Sequence, residues 1–481
     1  MAKDFIVAIE LGSSKMTGIA GKKNPDGSIT VLAVAKEDST SCIRKGAVYS
    51  IDKTAQGLTN IVNKLKATLQ TEITRVYVGV GGQSLRGIKN VIIKDLPAES
   101  IVSQDMINEL MDANRNMVYP DYEILDAITQ EYKVDSIYNI DPVGIPARRL
   151  EGNYLNVQWR KSFYRNLNKC FDMAGISIAE MYTSPLVLAD NVLTEAEKRS
   201  GCVLVDLGAE TTTVSVYYRD ILRHLSVIPL GSNNITKDLE SLQMDEKEAE
   251  LMKLKYGSAY TDAADIDGSM MWAIDKNRSV ESRLFLEVVE ARMLEIIENV
   301  WCQVPNEYAD KLVGGLILTG GGSNMRNIEK AFRHHTHIDK IRVAKFVALN
   351  ISTESPKIVV PRDGTMNSLL SLLAKGDINC AGNDLNRTLF GNDDNDEPAA
   401  NGTASGTTQA SGGTTAKPTT TRSTDPLRHE PATAKTPQQA KPQTKEDEDE
   451  EEEEKPKRQS IFGKAVRFMK KFGSSIIEEE K

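Results

Sequence analysis

Apolar residues along this chain recur in three rhythms, and each predicts a different element. Short apolar runs that lead into glycine turns occur at Phe5 to Ile9 before Gly12, at Cys202 to Val205 before Gly208, and at Leu316 to Leu318 before Gly320, the first two each followed by one acid, Glu10 or Asp206. Runs this short read as buried strands. The first two are followed by a return strand, Met16 to Gly21 in one case and Thr211 to Tyr217 in the other. A helical rhythm appears in Val280 to Cys302, where Leu284, Val288, Ala291 and Leu294 recur between charged residues, and Ser103 to Met117 also reads as helix. Glu131 to Val157 reads as strand-rich.

The third rhythm closes the chain. Wound at about 100° per residue, Ile461, Phe462, Ala465, Val466, Phe468, Met469, Phe472, Gly473, Ile476 and Ile477 share one side, while Lys464, Arg467, Lys470, Lys471, Ser474 and Ser475 share the other. Charge interrupts the apolar residues too often for a span of roughly 20 apolar residues. Bulky aromatics opposite a cationic face instead suit the headgroup boundary of anionic lipid, against the plainer reading of a core or partner-binding helix. Upstream, 383–457 is rich in Gly, Thr, Ser, Ala, Pro and Gln and reads as a disordered linker. Its reach is on the order of 50 Å. The acidic run Glu446 to Glu454 repels anionic lipid, and Lys455, Lys457 and Arg458 begin the attractive segment.

The remaining stretch is long enough for two or three domains with real cores. A net charge of −9 without a basic stripe or a nucleic-acid module argues against nucleic acid as a partner. Five cysteines, Cys42, Cys170, Cys202, Cys302 and Cys380, lack paired or metal-type spacing and read as reduced thiols of a cytosolic protein. The first apolar run is too short for a signal peptide. His334, His335 and His337 lack ligand partners at zinc-type spacing and read as a solvated helix end.

The three glycine turns carry the candidate chemistry. Glycine lets backbone N–H groups approach phosphate oxygens, hydroxyls add donors, and an acidic residue at a strand end can hold Mg²⁺ through water. The first turn offers Glu10 and then Gly12, Ser13, Ser14 and Lys15; the second offers Asp206 and then Gly208, Thr211 and Thr212. Two copies of one strand–turn–strand pattern imply a duplicated domain. The third, Gly320, Gly321, Gly322 and Ser323, is expected to open a helix from about Arg326, a setting suited to adenosine and phosphate.

In this order and spacing the turns resemble the actin, Hsp70 and sugar-kinase superfamily, and over essentially its whole length the chain resembles the FtsA family of bacterial cell-division proteins. Four more segments carry the likeness: Asp141 to Glu151, Ile228 to Gly231 with Asn234, Thr236 and Asp238, Ala249 to Gly257, and the linker ending in the amphipathic helix. The resemblance implies an α/β, actin-like two-lobed ATPase fold with an FtsA-type inserted subdomain. The implied parts are a first lobe at 1–83 completed by 167–198, the insert at 84–166, and a second lobe at 199–382 with an upper subdomain near 229–303. The linker 383–457 and a membrane helix at 458–481 follow.

The resemblance also implies ATP with Mg²⁺ between the lobes, with Glu10 and Asp206 placing the metal's waters, Gly231 at the upper-lobe entry, and Glu250 and Lys253 at the ribose or adenine. Further implied are self-association into filaments and docking of the FtsZ C-terminal peptide near Glu287, Glu290, Arg292 and Glu295. Contacts with downstream division proteins and a place on the cytoplasmic face of the cell membrane at midcell complete the picture. Glu10 stands where the superfamily usually has Asp, which puts fast hydrolysis in question. Ala147 replaces a family Gly, and Asp363 to Leu373 lacks the small residues usual at the interlobe hinge. The competing readings are a sugar-type kinase and an actin-like scaffold of pilus assembly. The first needs an acidic base facing a sugar-sized cleft, and neither accounts for the tethered helix.

Overall fold

A computed structural model of the protein describes residues 4–262 and 270–384. The expected linker from residue 385 onward, and the whole of the expected membrane helix from Ile461 to Ile477, lie outside the described residues.

Ile6–Leu11 (β1) and Lys15–Lys23 (β2) form the first hairpin, which Ile29–Asp38 (β3) extends before the small ladder of Ile43–Arg44 (β4) and Ala47–Val48 (β5). Ile51–Leu69 (α1) buries Leu58, Ile61, Val62 and Leu65, the 3.6-residue stripe that its sequence dictates, and leads to Thr71–Ile73 (β6) and Arg75–Val80 (β7). The insert follows as Arg86–Ile101 (β8), Gln104–Arg115 (α2), Tyr122–Val134 (β9), Ile137–Asn139 (β10) and Pro146–Arg160 (β11). Ser103 caps α2, its hydroxyl accepting the Met106 N–H. Lys161–Ala174 (α3), Ser177–Thr183 (β12), Ser184–Val192 (α4) and Glu195–Ser200 (α5) complete the first lobe. The helix α3 runs straight through 166 and 167, where the insert was expected to end.

The second lobe repeats the opening. Cys202–Leu207 (β13) and Thr212–Tyr218 (β14) form its hairpin and Ile221–Ile228 (β15) extends it. Ser232–Glu240 (α6), Glu246–Tyr256 (α7), Met271–Ala273 (β16), Ser279–Glu281 (β17), Ser282–Cys302 (α8) and Asn306–Ala309 (α9) come next. Gly315–Thr319 (β18), Ile328–Thr336 (α10), Ile341–Val343 (β19), Ile351–Thr353 (β20), Asn367–Lys375 (α11) and Ala381–Asp384 (β21) end the described chain.

Strand order makes the duplication explicit. The first sheet runs β12-β7-β1-β2-β3-β20, and the second contains β15-β14-β13-β18-β19. In both, the hairpin's first strand pairs antiparallel with its second and parallel with a later strand, β7 in one lobe and β18 in the other. The last described elements return to the first lobe: β20 pairs with β3, α11 packs on α4 and the first sheet, and β21 pairs with β6. The expected second lobe of 199–382 therefore gives up its final strands and helix, because a three-residue strand carries no mark of the sheet it will join.

The insert's sheet, β10-β9-β11-β8, continues into the second lobe through the pair Ser226–Arg86 of β15 and β8. Lys89 Nζ meets Glu307 Oε1 at 2.6 Å, and Gln130 Nε2 donates to the Leu222 carbonyl at 2.9 Å. Gln158, His224 and Ser226 at this seam each leave a buried polar atom unpaired. Within the insert, Gly144 at φ +87° makes the expected turn after Asp141, whereas Ala147 is buried in β11 beside a bulge, so that position packs rather than turns.

The helix α8 forms where its rhythm predicts, but its buried stripe is Phe285, Val289, Met293, Ile296, Ile297 and Val300, and Leu284 is exposed. The sequence holds two adjacent apolar stripes, and the one with Phe285 fills the core.

Arg342 of β19 grips Glu197 with Nε to Oε1 at 2.6 Å and Nη2 to Oε2 at 2.8 Å, and also reaches the Val192 carbonyl at 2.8 Å. Burial pushes the Glu197 carboxyl up, but the Arg342 and Thr194 donors outweigh it and hold the group at about 2, against an ordinary 4.5. The stability this supplies is present above about 4.5 and lost as pH falls toward about 2. Arg342→Ala is expected to destabilise the protein by roughly 2 kcal/mol at neutral pH, discounted for the partly exposed Arg342. In thermal melts the gap to wild type should close across that acid window.

Candidate functional site

The two hairpin turns have the same construction. Gly12 N–H donates to the Lys15 carbonyl at 3.1 Å and Gly208 N–H to the Thr211 carbonyl at 2.9 Å. A Cβ at Gly12 would lie 2.8 Å from that oxygen, and one at Gly208 would lie 2.7 Å from its counterpart, so both positions exclude a side chain. Ser13 is buried and its hydroxyl accepts the Gly46 N–H at 2.9 Å, while Ser14 and Lys15 are partly exposed at the turn. In the second turn Thr211 is partly exposed, whereas Thr212 is buried and donates to the Leu230 carbonyl at 2.9 Å.

Glu10 is the penultimate residue of the first strand and Asp206 of the equivalent one. Burial, with the neighbouring Asp206 charge adding to it, pushes the Glu10 carboxyl up to about 7, although Lys15 and Ser368 pull it down; burial pushes Asp206 up to about 6. Both acids thus reside where charge is disfavoured unless a cation comes to them.

The third turn abuts this pair. Gly320 sits at φ +81°, and a Cβ there would lie 2.3 Å from Asp206 Oδ1. Gly364, also at φ +81°, would meet Gly320 N at 3.2 Å. Gly364, ahead of α11, thus sets a glycine against the third turn, while α11 itself carries none. Gly321 faces only Thr365, at 3.5 Å, and is the roomiest of the three glycines. Gly322 packs on Leu207, and Ser323 donates to the Gly320 carbonyl at 2.7 Å. The glycines run through a 3-10 turn, Gly321–Asn324, and α10 starts only at Ile328 after Asn327 at φ +57°. The expected helix start near Arg326 is displaced because that left-handed residue intervenes.

The start of α6 closes the back of the second turn. Ser232 N–H and Asn233 N–H donate to the carbonyls of Gly208 and Ala209 at 3.0 and 2.7 Å, and a Cβ at Gly231 would strike Ala209 at 2.6 Å. On α7, Lys253 is buried and its three donors are committed to Ser232 O at 3.1 Å, Thr236 Oγ1 at 2.8 Å and Glu250 Oε2 at 2.6 Å. Lys253 thus positions the half-exposed Glu250 and has no donor spare for a ligand.

The expected partner face on α8 is largely occupied. Arg292 clamps α8 to α6, with Nε and Nη2 on the Asp238 carboxylate at 2.5 and 2.9 Å, and also pairs with Glu295. Glu290 is half-buried, and burial raises its carboxyl. Glu287 remains accessible and pairs with Arg283 of its own helix at 3.2 Å.

Sequence reasoning missed Ser39, Lys45 and Glu210. Ser39 is fully buried and donates to the Gly12 carbonyl at 2.6 Å; Glu210 accepts the Lys45 N–H at 2.7 Å across the lobes. A positive φ at Lys45, beside a glycine, has no side-chain signature.

Comparison with known proteins fits this geometry. The family model described as Cell division protein FtsA matches residues 203–364, and the SHS2 domain inserted in FTSA matches residues 82–158. The Cell division protein FtsA of Porphyromonas gingivalis is 32% identical over 332 residues, 68% of this chain and 69% of that protein. That of Neisseria meningitidis serogroup B is 30% identical over 332 residues, 67% of this chain and 80% of its own. Among solved structures, the PilM-PilN type IV pilus biogenesis complex has a chain with a TM-score of 0.51 at 14% identity, covering 76% of this chain and 97% of that one. That likeness is one of fold.

An acid whose folded value lies above its unfolded one stabilises below the unfolded value and loses that contribution as pH rises through the folded one. For Glu10 the window runs from about 4.5 to about 7. Glu10→Gln should therefore melt higher than wild type above this window, with the gap shrinking as pH falls through it, in melts run with chelator and without nucleotide.

Proposed function

The chain belongs to the FtsA family of cell division proteins and has an actin-like fold, and from that premise we propose that it binds ATP between its lobes, self-assembles, and tethers FtsZ to the cytoplasmic face of the cell membrane at the division site. One observation carries the nucleotide reading: two equivalent glycine turns converge, with Glu10 and Asp206, on a third glycine turn that leaves room at Gly321. The partly exposed Ser14, Lys15 and Thr211 border the phosphates. Ser13 and Thr212 shape the turns from within, and Glu250 faces the ribose with Lys253 behind it.

Mg²⁺ fits the donor set, since two partly buried carboxylates with raised affinities for protons gain most from a divalent cation. Glu10 and Asp206 would hold it through water, and bound there it would neutralise phosphate charge. We assign binding rather than rapid turnover, because the longer Glu10 side chain stands where an aspartate would set the water geometry. A sugar-type kinase or a pilus scaffold is not favoured, since the family match is to cell division proteins.

The FtsZ C-terminal peptide is assigned to the upper part of the second lobe near the accessible Glu287. Arg292 is too engaged with Asp238 to serve as a free docking cation, so a charge change there would loosen the subdomain as well.

Attachment rests on the terminal helix. Half-burying Phe462, Val466, Phe468, Met469, Phe472, Ile476 and Ile477 at roughly 1 kcal/mol each gives several kcal/mol before the cost of ordering the segment. Lys464, Arg467, Lys470 and Lys471 add about 1 kcal/mol apiece on anionic lipid. A single copy binds weakly, and assembly through the lobes raises avidity by presenting many tails to one surface.

Two measurements test this reading. Gly321→Asp places a carboxylate where the nucleotide lies and should abolish ATP binding in calorimetry; unchanged affinity would remove the nucleotide from this turn. Phe468→Glu with Phe472→Glu should prevent co-sedimentation with anionic vesicles, and added salt should weaken the wild type. If the double variant still pellets with vesicles, the helix serves a protein partner instead.

A further inference from the structure

Lys45 and Gly46, between β4 and β5, are consecutive residues with positive φ, +49° and +72°, and their N–H groups bond to the two hairpin turns. Gly46 N–H donates to Ser13 Oγ of the first turn at 2.9 Å, and Lys45 N–H donates to Glu210 Oε2 of the second at 2.7 Å. The joint itself is held rigidly from behind. Gln83 N–H donates to the Lys45 carbonyl at 2.9 Å, and Gly82, at φ +91°, packs so closely that a Cβ there would lie 2.6 Å from the Gly46 oxygen. Glu210 belongs to the tip of the second turn, yet its side chain is only 18% exposed, and its other oxygen lies 3.8 Å from Lys237 Nζ of α6.

We propose that Glu210 is a positioning residue for nucleotide: its carboxylate latches the second phosphate turn to the Lys45–Gly46 joint, and through it to Ser13 of the first, so that the lobes must break this bond to open and release a bound nucleotide. The physical reason is geometric. Among the described contacts between the two turns, this chain of two hydrogen bonds runs tip to tip, where a given lobe rotation produces a large displacement. Opening by little more than an ångström takes a 2.7 Å hydrogen bond beyond bonding range. Because the acceptor is a carboxylate, the bond is of the stronger, charge-assisted kind. Lys237 steadies the carboxylate from its own lobe, leaving it preset to receive the N–H.

The proposal rests on the nucleotide reading above but acts on the residence time of nucleotide rather than on its site. It is tested with the full chain carrying Glu210→Ala and Glu210→Gln, by stopped-flow release of a fluorescent ATP analogue with Mg²⁺. Deuterium uptake at the Lys45 amide of the nucleotide-free protein is followed in parallel. Glu210→Ala should speed release by about tenfold or more, the scale of one lost hydrogen bond to a charged group, and should deprotect the Lys45 amide. Glu210→Gln retains an acceptor oxygen and should restore both readings to within about threefold of wild type. Unchanged release in Glu210→Ala, or a Gln variant as fast as the Ala variant, would overturn the latch. Failure of the wild type to bind the analogue would overturn the nucleotide reading instead, while the amide protection still reports on the bond.

Discussion

The pairing of Glu10 with Asp206, each the partly buried penultimate residue of one of two equivalent strands, is the constraint on which the cleft depends. Two partly buried carboxylates, one raised further by the other's charge, are unfavourable for folding when ionised. The strands that carry them are central in their sheets, with a hairpin partner on one side and a parallel strand on the other, so the backbone fixes where both acids start. Lys15 supplies partial compensation from within the first turn. Glycine at position 320 is then obligatory, because any side chain would be driven into the Asp206 carboxylate.

Around that core the helices do indirect work. Lys253, read from sequence as a ligand contact, spends all three donors organising α6 and α7, and Arg292, read as a docking cation, ties α8 to α6 through Asp238. In both cases a cation is used to fix the walls of the upper subdomain. A long charged side chain on a helix gives no sign in sequence of whether it points to solvent or to a neighbouring helix, and burial decides its role.

What was legible in the sequence follows from periodicity and from glycine. Both hairpins, the helix at Ser282–Cys302 and the duplicated plan could be read because apolar runs, helical spacing and repeated Gly turns are local signals. Pairing between distant strands was not legible. Nothing in Ile351–Thr353 says that it returns to the first sheet, and in the long strand Arg86–Ile101 the apolar triplet Val91-Ile92-Ile93 leaves Val91 and Ile93 exposed, so its apolar residues do not mark one buried face. The buried face of α8 was misread for a related reason: two apolar stripes compete, and only tertiary packing selects between them.

The seam between insert and second lobe makes covalent and hydrogen-bonded membership disagree. By chain order the insert hangs from the first lobe, immediately after Gly82; by sheet continuity it extends the second, through Ser226–Arg86 and the flanking Lys89–Glu307 and Gln130–Leu222 contacts. A body attached to two others in this way is a strut, and relative rotation of the lobes must appear as shear along β8 and β15. With one residue pair carrying the junction and Gln158, His224 and Ser226 leaving polar atoms unpaired beside it, that shear concentrates in the least cohesive part of the sheet. Any rotation of one lobe against the other would therefore load this junction first, since the insert is held by both.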